Sequence, residues 1–335
     1  MLVFTILILS VVLVNGWTDA PNAISTCIST RSMTPKGALL LAAACNFCGS
    51  VGMALINTSV AGTVFGIVDL SDSPECAFRS LCAGMCAVVI WSVVAWAFGI
   101  PTSESHALLS GISGAALASS MSLSSINLSE WLIVLSGLFL STLPAFLLAR
   151  FVYSLMITIL GDFERRQTIK YFMKAQRVSA AWSALLHGAQ DSQKFMGVFM
   201  LGVAVINGNV SQESFDIPIT VILVCSTVMT LGTLIGGGRI IKKVGMDMVH
   251  LDAAGGTAAD IASSVVLSVC SMGGIPVSTT HSKSCAMMGV GSQSHGGGTN
   301  KRIILQMLCA WILTFPICAI IGFLLYHAIT LTSIL

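Results

Sequence analysis

Two short polar motifs interrupt long apolar stretches of the chain, and each carries one aspartate. The first motif is 16–23 (GWTDAPNA), and the second is 187–194 (HGAQDSQK). A carboxylate in hydrocarbon costs at least about 2.5–3.5 kcal/mol, so it usually marks a path for an ion or a substrate. Each aspartate could alternatively cap a broken helix or pair with a lysine. Because oxygen ligands suit a hard cation or a proton, we predict a cation site formed by Asp19, Asn22, Asp191 and Thr18.

Two proline-containing segments, 101–106 (PTSESH) and 276–281 (PVSTTH), resemble each other. Proline fits the first turn of a helix, and serine or threonine there caps the free N–H groups. A helix that starts inside a membrane presents these groups and its positive dipole end to an anion. Two such helix starts would hold a tetrahedral oxyanion, although ordinary N-capping explains the same pattern. The predicted hydroxyl ligands are Thr102, Ser103, Ser105, Ser278, Thr279 and Thr280.

Five further ionisable residues lie in apolar surroundings, and the sequence leaves their roles open. His106 and His281 end the two proline segments, where they would either relay protons or only pack. Lys194 would neutralise substrate charge or pair with the aspartate of its own motif. Asp260 is a further carboxylate without an acidic counterpart in the first half of the chain. Lys283 is expected to pair structurally or to snorkel.

The composition is that of a membrane protein. The chain has 335 residues, of which 55% are hydrophobic and only 9% charged, with a mean hydropathy of +0.90. A soluble protein carries about 25% charged residues. The net charge of +2 is scattered over short loops and indicates no nucleic-acid partner. Most of the 11 cysteines fall in apolar runs, where cysteine packs as a small hydrophobe.

Spanning helices need about 20 apolar residues, and ten stretches of the chain are candidates. The first starts at the N-terminus, where no basic region or cleavage pattern indicates a signal peptide. We expect the two stretches with aspartate motifs to be interrupted there, and the last stretch to bend or split near Pro316. The candidates are 1–28, 37–57, 77–98, 106–120, 131–158, 179–206, 218–236, 255–272, 280–292 and 303–334.

The spacing of the motifs and the loop charges predict how the chain is organised. Asp191 follows Asp19 by 172 residues, and Pro276 follows Pro101 by 175, which indicates an internal repeat. Basic loops favour the cytoplasmic side. The loops 161–178, 29–37, 239–252 and 293–302 are basic, whereas 69–76 and 207–217 are acidic.

Threading the spans through these loops places both termini outside and runs the two aspartate segments in opposite directions. We therefore predict an all-α polytopic membrane protein, an inverted-topology repeat with broken or re-entrant helices. Secondary transporters are built in this way, with their sites near the midplane. The predicted parts are a first transmembrane repeat at 1–160, a basic cytoplasmic linker at 161–178, and a second, inverted transmembrane repeat at 179–335.

Both pairs of motifs, together with 242–245 (KKVG), resemble the PiT family of inorganic phosphate transporters, whose members are coupled to sodium or protons. The resemblance covers nearly the whole chain. It implies that the hydroxyls of the proline segments embrace phosphate, and that a midplane site for phosphate and Na⁺ is lined by Asp19, Asn22, Asp191, Gln190 and Lys194. The family usually has asparagine before each aspartate, whereas this chain has Thr18 and Gln190.

The function that these observations predict is secondary active symport of inorganic phosphate into the cell by alternating access. Na⁺ is favoured over H⁺ as the coupling ion, and no other cofactor is expected. The alternatives are a sulfate permease of the same family and, less favoured, a passive anion channel. An enzyme is not expected, because no nucleophile–base constellation is present. The expected partners are phosphate, the cation and the bilayer of the cell membrane; a homodimer is left open.

Overall fold

The fold is a bundle of helices. The structure, a computed structural model, describes residues 2–69, 73–160, 165–207, 216–293 and 299–332. Parts of the predicted linker (161–164) and of the acidic loops (Asp72, Glu213) lie outside the described residues. The helices are α1 Leu2–Thr18, α2 Pro21–Ser29, α3 Pro35–Ile56, α4 Ser59–Phe65, α5 Pro74–Ala97, α6 Glu104–Ser120, α7 Leu128–Leu160, α8 Arg165–Ile206, α9 Ile219–Ile235, α10 Gly238–Met248, α11 Ala253–Met272, α12 Thr279–Gly291 and α13 Lys301–Thr332.

The helices have the length and apolarity of membrane spans. In the described part of the chain, six spans are long and apolar enough to cross a bilayer, or seven if α9 and α10, bent by 58°, are one span. Helices α7 and α13 expose large apolar side chains such as Phe139 and Leu324 on their outer faces, as lipid contact requires. The only β pairing among described residues is an isolated bridge between Val68 and Ile126. The prediction of an all-α polytopic membrane protein is confirmed.

The first aspartate motif breaks a helix, as predicted. Helix α1 ends at Thr18, and α2 starts at Pro21, so that Asp19 and Ala20 form the turn between them. Proline has no N–H to donate into a preceding turn and is favoured at a helix start. The break therefore follows directly from Pro21, and it places the Asp19 side chain at a point where two helix ends meet.

The second aspartate motif does not break its helix, and the predicted interruption at Asp191 is wrong. Helix α8 runs without a break from Arg165 to Ile206, over 42 residues. The motif has Gln193 at the position that corresponds to Pro21 of the first motif, and nothing else in it excludes helical backbone. Residues 165–178 of the predicted linker are the first turns of this helix. The division of the chain into two halves remains a prediction.

Two helical hairpins, α5–α6 and α11–α12, carry the proline segments. In each loop a glycine with positive φ, Gly99 (+64°) or Gly274 (+69°), precedes an Ile-Pro pair. This left-handed backbone favours glycine because it has no Cβ. Ser103 and Ser278 then cap α6 and α12, each accepting from the backbone N–H three residues on at 3.3 Å. The helix starts predicted from the proline segments are confirmed.

Close helix contacts hold the two hairpins in place. A Cβ at Gly114 of α6 would overlap the carbonyl oxygen of Ala319 in α13, and a Cβ at Gly289 of α12 would overlap that of Phe146 in α7. Glycine at these positions lets the helix backbones approach each other. The predicted split of the last span is not seen, since α13 passes through Pro316 as one helix.

Candidate functional site

The two aspartate motifs meet inside the bundle. Ligand atoms of Asp19, His187 and Asp191 all lie within 4.8 Å of one another, and all three residues are buried. Asp19 lies at the α1–α2 break, whereas His187 and Asp191 lie one turn apart on α8. The structure therefore brings together the two aspartates that the sequence singled out, although 171 residues of chain lie between them.

Asp19 is surrounded by hydroxyl and amide groups. The Asn22 Nδ2 group donates to Asp19 Oδ1 at 2.8 Å and to Thr280 Oγ1 at 2.8 Å. The Thr280 hydroxyl in turn donates to the same carboxylate oxygen of Asp19. Asn22 and Thr280 thus link the turn between α1 and α2 to the start of α12. The Oδ1 of the Asn22 amide is buried and has no partner.

Asp191 has a lysine as its direct partner. Lys194 Nζ lies 2.6 Å from Asp191 Oδ1, one helical turn further along α8. The other carboxylate oxygen, Asp191 Oδ2, lies 3.2 Å from Asn15 Nδ2, 3.3 Å from His187 Nε2 and 3.4 Å from Thr279 Oγ1. Of the two alternatives for Lys194, the structure shows pairing with Asp191. A buried pair of this kind is stable only when hydrogen bonds satisfy both charges.

Lys194 also contacts both hairpins, one at the start of α6 and the other in the loop before α12. Its ammonium donates to Ser105 Oγ at 2.7 Å and to the backbone carbonyl of Val277 at 2.5 Å. Asn22 and Lys194 occupy the same place in their motifs, three residues after the aspartate. Each joins its aspartate to a hydroxyl of one hairpin, Asn22 to Thr280 of α12 and Lys194 to Ser105 of α6.

The remaining predicted anion ligands lie around the same centre. Ser103 and Ser278 are N-caps, and each oxygen accepts a backbone N–H while its own O–H remains available to donate. Gln190 donates from Nε2 to the backbone carbonyl of Ile275 at 3.0 Å, and its buried Oε1 has no partner. Thr102 is buried directly before the Ser103 cap. Capping thus accounts for two of the six hydroxyls.

Thr18 is placed differently from the other predicted cation ligands. Its hydroxyl contacts Glu104 Oε1 at the start of α6 and lies 2.8 Å from the carbonyl oxygen of Val14. Glu104 is only 2% exposed, and sequence reasoning did not single it out. Its charge within an apolar stretch, the signal that identified Asp19, could have done so.

Asn15 and His187 were also missed. His187 precedes Asp191 by four residues, which brings the two side chains together on a continuous helix, but the expected helix break concealed this. Asn46 on α3 holds the other ring nitrogen, with Oδ1 3.2 Å from His187 Nδ1. Asn15 precedes Asp19 by four residues on α1, and nothing in the sequence connects it with Asp191.

A second buried ion pair lies away from this centre. Lys283 of α12 pairs with Asp260 of α11, which confirms the structural pairing predicted for Lys283. Asp260 also accepts from Thr26 of α2 at 2.8 Å and from Ser179 of α8 at 3.1 Å. The pair therefore ties the α11–α12 hairpin to α2 and α8.

His106 and His281 meet where the two hairpins approach each other. Their ring centroids are 4.7 Å apart. His106 stacks on Phe315 of α13, at 4.5 Å, and His281 packs on Trp311, at 3.9 Å. These aromatic contacts support the packing role of both histidines. A role in proton relay stays a prediction.

Two kinds of ligand are suited to this arrangement. Carboxylate, amide and hydroxyl oxygens around Asp19 offer a hard cation the ligands that it prefers. Helix starts capped by serine, with hydroxyls and one lysine beside them, offer donors to an oxyanion. Both sets share the same small volume, because Thr279 and Thr280 contact the aspartates and also begin α12.

Comparison with known proteins finds one family model and several relatives that match the chain. It matches the model of the phosphate transporter family over residues 15–170 and again over 160–322. It is 34% identical over 335 residues to a protein of Bacillus subtilis (strain 168) named "Probable low-affinity inorganic phosphate transporter", covering 99% of this chain and 98% of that protein. A protein of the same name from Rhizobium meliloti (strain 1021) is 33% identical over 324 residues, covering 95% and 93%.

The fold is also similar to that of a solved structure described as "The sodium-dependent phosphate transporter". The TM-score is 0.84, with 20% sequence identity, over 100% of this chain and 99% of that chain. At this identity the likeness establishes the arrangement of helices alone.

Proposed function

Because this chain belongs to the phosphate transporter family, we propose that it is a secondary active symporter that imports inorganic phosphate together with a cation, Na⁺ in preference to H⁺. The resemblance to inorganic phosphate transporters that the paired motifs indicated is confirmed. The observation that supports the proposal is the contact of Asp19 and Asp191 with the start of α12, because the predicted cation ligands there touch the predicted anion ligands Thr279 and Thr280.

The cation is proposed to bind at Asp19. Asp19 has hydroxyl and amide partners but no lysine, so its buried charge lacks a counter-ion among the described residues. Burying an unpaired carboxylate is costly, and a bound cation would remove that cost. Asn22 and Asp191 would supply further oxygens.

Phosphate is proposed to bind at the N-terminal ends of α6 and α12, the second helices of the two hairpins. The donors are the hydroxyls of Ser105, Thr279 and Thr280 and the ammonium of Lys194, all within the cluster described above. In the structure Thr279, Thr280 and Lys194 donate to aspartates, and Lys194 also donates to Ser105. An arriving oxyanion would take over several of these hydrogen bonds, and the cation would compensate the aspartates that lose them. This exchange couples the two ligands.

Alternating access is proposed to follow from the predicted inverted repeat, whose two hairpins would open the site to one side at a time. The sulfate alternative has no support among the relatives named above. All of them are named as transporters, and we propose no enzymatic activity. The protein is proposed to lie in the cell membrane with both termini outside.

Uptake of labelled phosphate into proteoliposomes tests the proposal. An inward sodium gradient should drive phosphate above its equilibrium level, and replacing Na⁺ by choline at fixed pH should abolish this accumulation. A hundredfold excess of unlabelled sulfate should leave it intact. Equilibration without accumulation under any gradient would instead identify a passive channel and refute symport.

Asp19→Asn tests the role of the aspartate. It removes the charge without unpairing a lysine, unlike Asp191→Asn, which would leave Lys194 without its partner. We expect accumulation to fall at least about tenfold, the change that corresponds to about 1.4 kcal/mol of lost ligand binding. Glu75→Gln, on the exposed start of α5, is the control and should transport as the wild type. Normal accumulation by Asp19→Asn would remove this carboxylate from the mechanism.

A further inference from the structure

A cavity of about 950 Å³ opens at one end of the bundle, between the last turns of α7, the start of α11 and the end of α12. It is separated from the Asp19–Asp191 centre by the length of α12, whose 13 residues extend over about 20 Å. Arg150 and Asp252 both line it. We propose that this cavity binds the headgroup of a membrane phospholipid that carries a primary amine, such as phosphatidylethanolamine. The inference goes beyond the proposed transport and does not depend on it.

The cavity lies at the depth of lipid headgroups. Helix α7 has 33 residues and is about 50 Å long, whereas the hydrocarbon layer of a bilayer is about 30 Å thick. The charged residues of α7 are Glu130, near its start, and Arg150. Residues 131–149 between them carry no charge and extend over about 28 Å. Because a charge in hydrocarbon is costly, we place this stretch in the hydrocarbon and Arg150 at its boundary.

Arg150 supplies donors for a phosphate group. Its Nη1 donates to Ser292 Oγ at 3.0 Å, and in the part of the chain that the structure describes it forms no ion pair. A guanidinium has five N–H donors in a planar fork, which matches two oxygens of one phosphate. Tyr153 and Ser154 share the face of Arg150 on α7. Both line the same cavity, so their hydroxyls are further donors.

Asp252 supplies an acceptor for an amine. Its Oδ1 accepts the Gly255 N–H at 2.8 Å as the N-cap of α11, and no lysine or arginine pairs with it among the described residues. Asp252 lies close enough to Tyr153 for its charge to act on the tyrosine hydroxyl. Arg150 and Asp252 thus present opposite charges to one cavity without pairing with each other. A headgroup with a phosphate and a primary ammonium complements both charges.

A phospholipid fits this place better than free inorganic phosphate, although both offer a phosphate group. Leu147, Phe151 and Leu155 form an exposed apolar strip on α7, four residues apart and therefore on one face. The strip runs past Arg150 into the hydrocarbon layer, where acyl chains can lie against it. Inorganic phosphate has no ammonium for Asp252 and would be repelled by its carboxylate. The same reason disfavours phosphatidylglycerol, which has a phosphate but no amine.

Native mass spectrometry of the purified full chain, in micelles that contain phosphatidylethanolamine or phosphatidylglycerol, tests this inference. We expect the tightest-bound phosphatidylethanolamine to have a Kd at least about tenfold lower than phosphatidylglycerol. Arg150→Gln should raise the Kd for phosphatidylethanolamine at least about tenfold. Arg302→Gln is the matched control, since it removes an exposed arginine that does not line the cavity, and it should bind as the wild type. An excess of inorganic phosphate should leave the lipid bound, and displacement would overturn the lipid as the ligand.

A second variant keeps the test decisive if Arg150→Gln does not purify as a monodisperse protein. Asparagine caps a helix about as well as aspartate, so Asp252→Asn keeps the cap of α11 and removes only the charge. We expect its Kd for phosphatidylglycerol to fall and its preference for phosphatidylethanolamine to disappear. An unchanged preference in Asp252→Asn, or wild-type binding of phosphatidylethanolamine by Arg150→Gln, would overturn the proposal.

Discussion

The two hairpins, α5–α6 and α11–α12, have the same backbone plan but treat buried charge in opposite ways. Both turn at a glycine with positive φ, Gly99 or Gly274, and both cap the second helix with a serine. The α11–α12 hairpin contains its own ion pair, Asp260 with Lys283. In the α5–α6 hairpin, at the same distance before and after the proline, Met85 and Leu108 are apolar and fully buried.

The α5–α6 hairpin instead carries its charge at the tip, on Glu104, where no lysine pairs with it among the described residues. A charge neutralised within a hairpin contributes to holding the fold together. A charge left unpaired at the tip is available to a ligand. The same scaffold thus carries a paired charge in the α11–α12 hairpin and a charge without a lysine partner in the α5–α6 hairpin.

The largest expected effect comes from breaking the Asp260–Lys283 ion pair of the α11–α12 hairpin. Lys283→Leu leaves Asp260 buried without its counter-ion, and removing one partner of a buried pair costs about 3–5 kcal/mol. We expect a large fall in the thermal midpoint of the purified protein, measured by tryptophan fluorescence. The double variant Asp260→Met with Lys283→Leu copies the apolar pair of the α5–α6 hairpin and should recover most of the loss. A single variant as stable as the wild type would show that the pair is no anchor.

Intermediate effects, equal in the two hairpins, are expected where α6 packs on α13 and where α12 packs on α7. Gly114→Ala against Ala319 and Gly289→Ala against Phe146 each place a methyl group against a carbonyl oxygen. Overpacking of this kind costs about 1–3 kcal/mol. The thermal midpoint should fall by similar amounts in the two variants, with Gly62→Ala, where a Cβ meets open space, as control. A loss in only one variant would contradict the common plan.

The smallest effect is expected at the caps. Ser103→Ala and Ser278→Ala each remove one acceptor from a helix start, at a cost of about 0.5–2 kcal/mol. The two variants should lose nearly the same stability by thermal unfolding, since both caps have the same 3.3 Å geometry. If phosphate also binds there, each variant should in addition weaken uptake at low phosphate. Unequal stability losses would show that the caps are not equivalent.

The features that the sequence predicted correctly are local. Pro21 determines the break after α1, and a serine after each Ile-Pro pair determines where α6 and α12 begin. The charge of Asp19 and Asp191 in an apolar chain was sufficient to single out two side chains that the structure brings together, and their role as ligands stays a prediction. Each of these signals depends on residues that are close together in the chain, so that periodicity and turn chemistry are enough to interpret them.

The features that the sequence did not predict depend on which helices pack together. Helix α8 is continuous at Asp191, whose carboxylate is satisfied by Asn15 from another helix and by Lys194 one turn further along. The contact of Thr18 with Glu104 joins α1 to α6 through two residues that are 86 positions apart. No pattern in the sequence specifies such a pair. Thr18 and Gln190 each directly precede an aspartate, but Thr18 contacts Glu104, whereas Gln190 contacts a loop carbonyl.

Helix α8 is long enough to join the basic residues near its N-terminal end directly to Asp191. At about 1.5 Å per residue, its 42 residues extend over about 63 Å, roughly twice the hydrocarbon thickness of a bilayer. Lys170 and Lys174 lie on the same rigid rod as His187, Asp191 and Lys194, with no loop between them. Since the helix is continuous, a tilt of its N-terminal part would also move the part that carries Asp191.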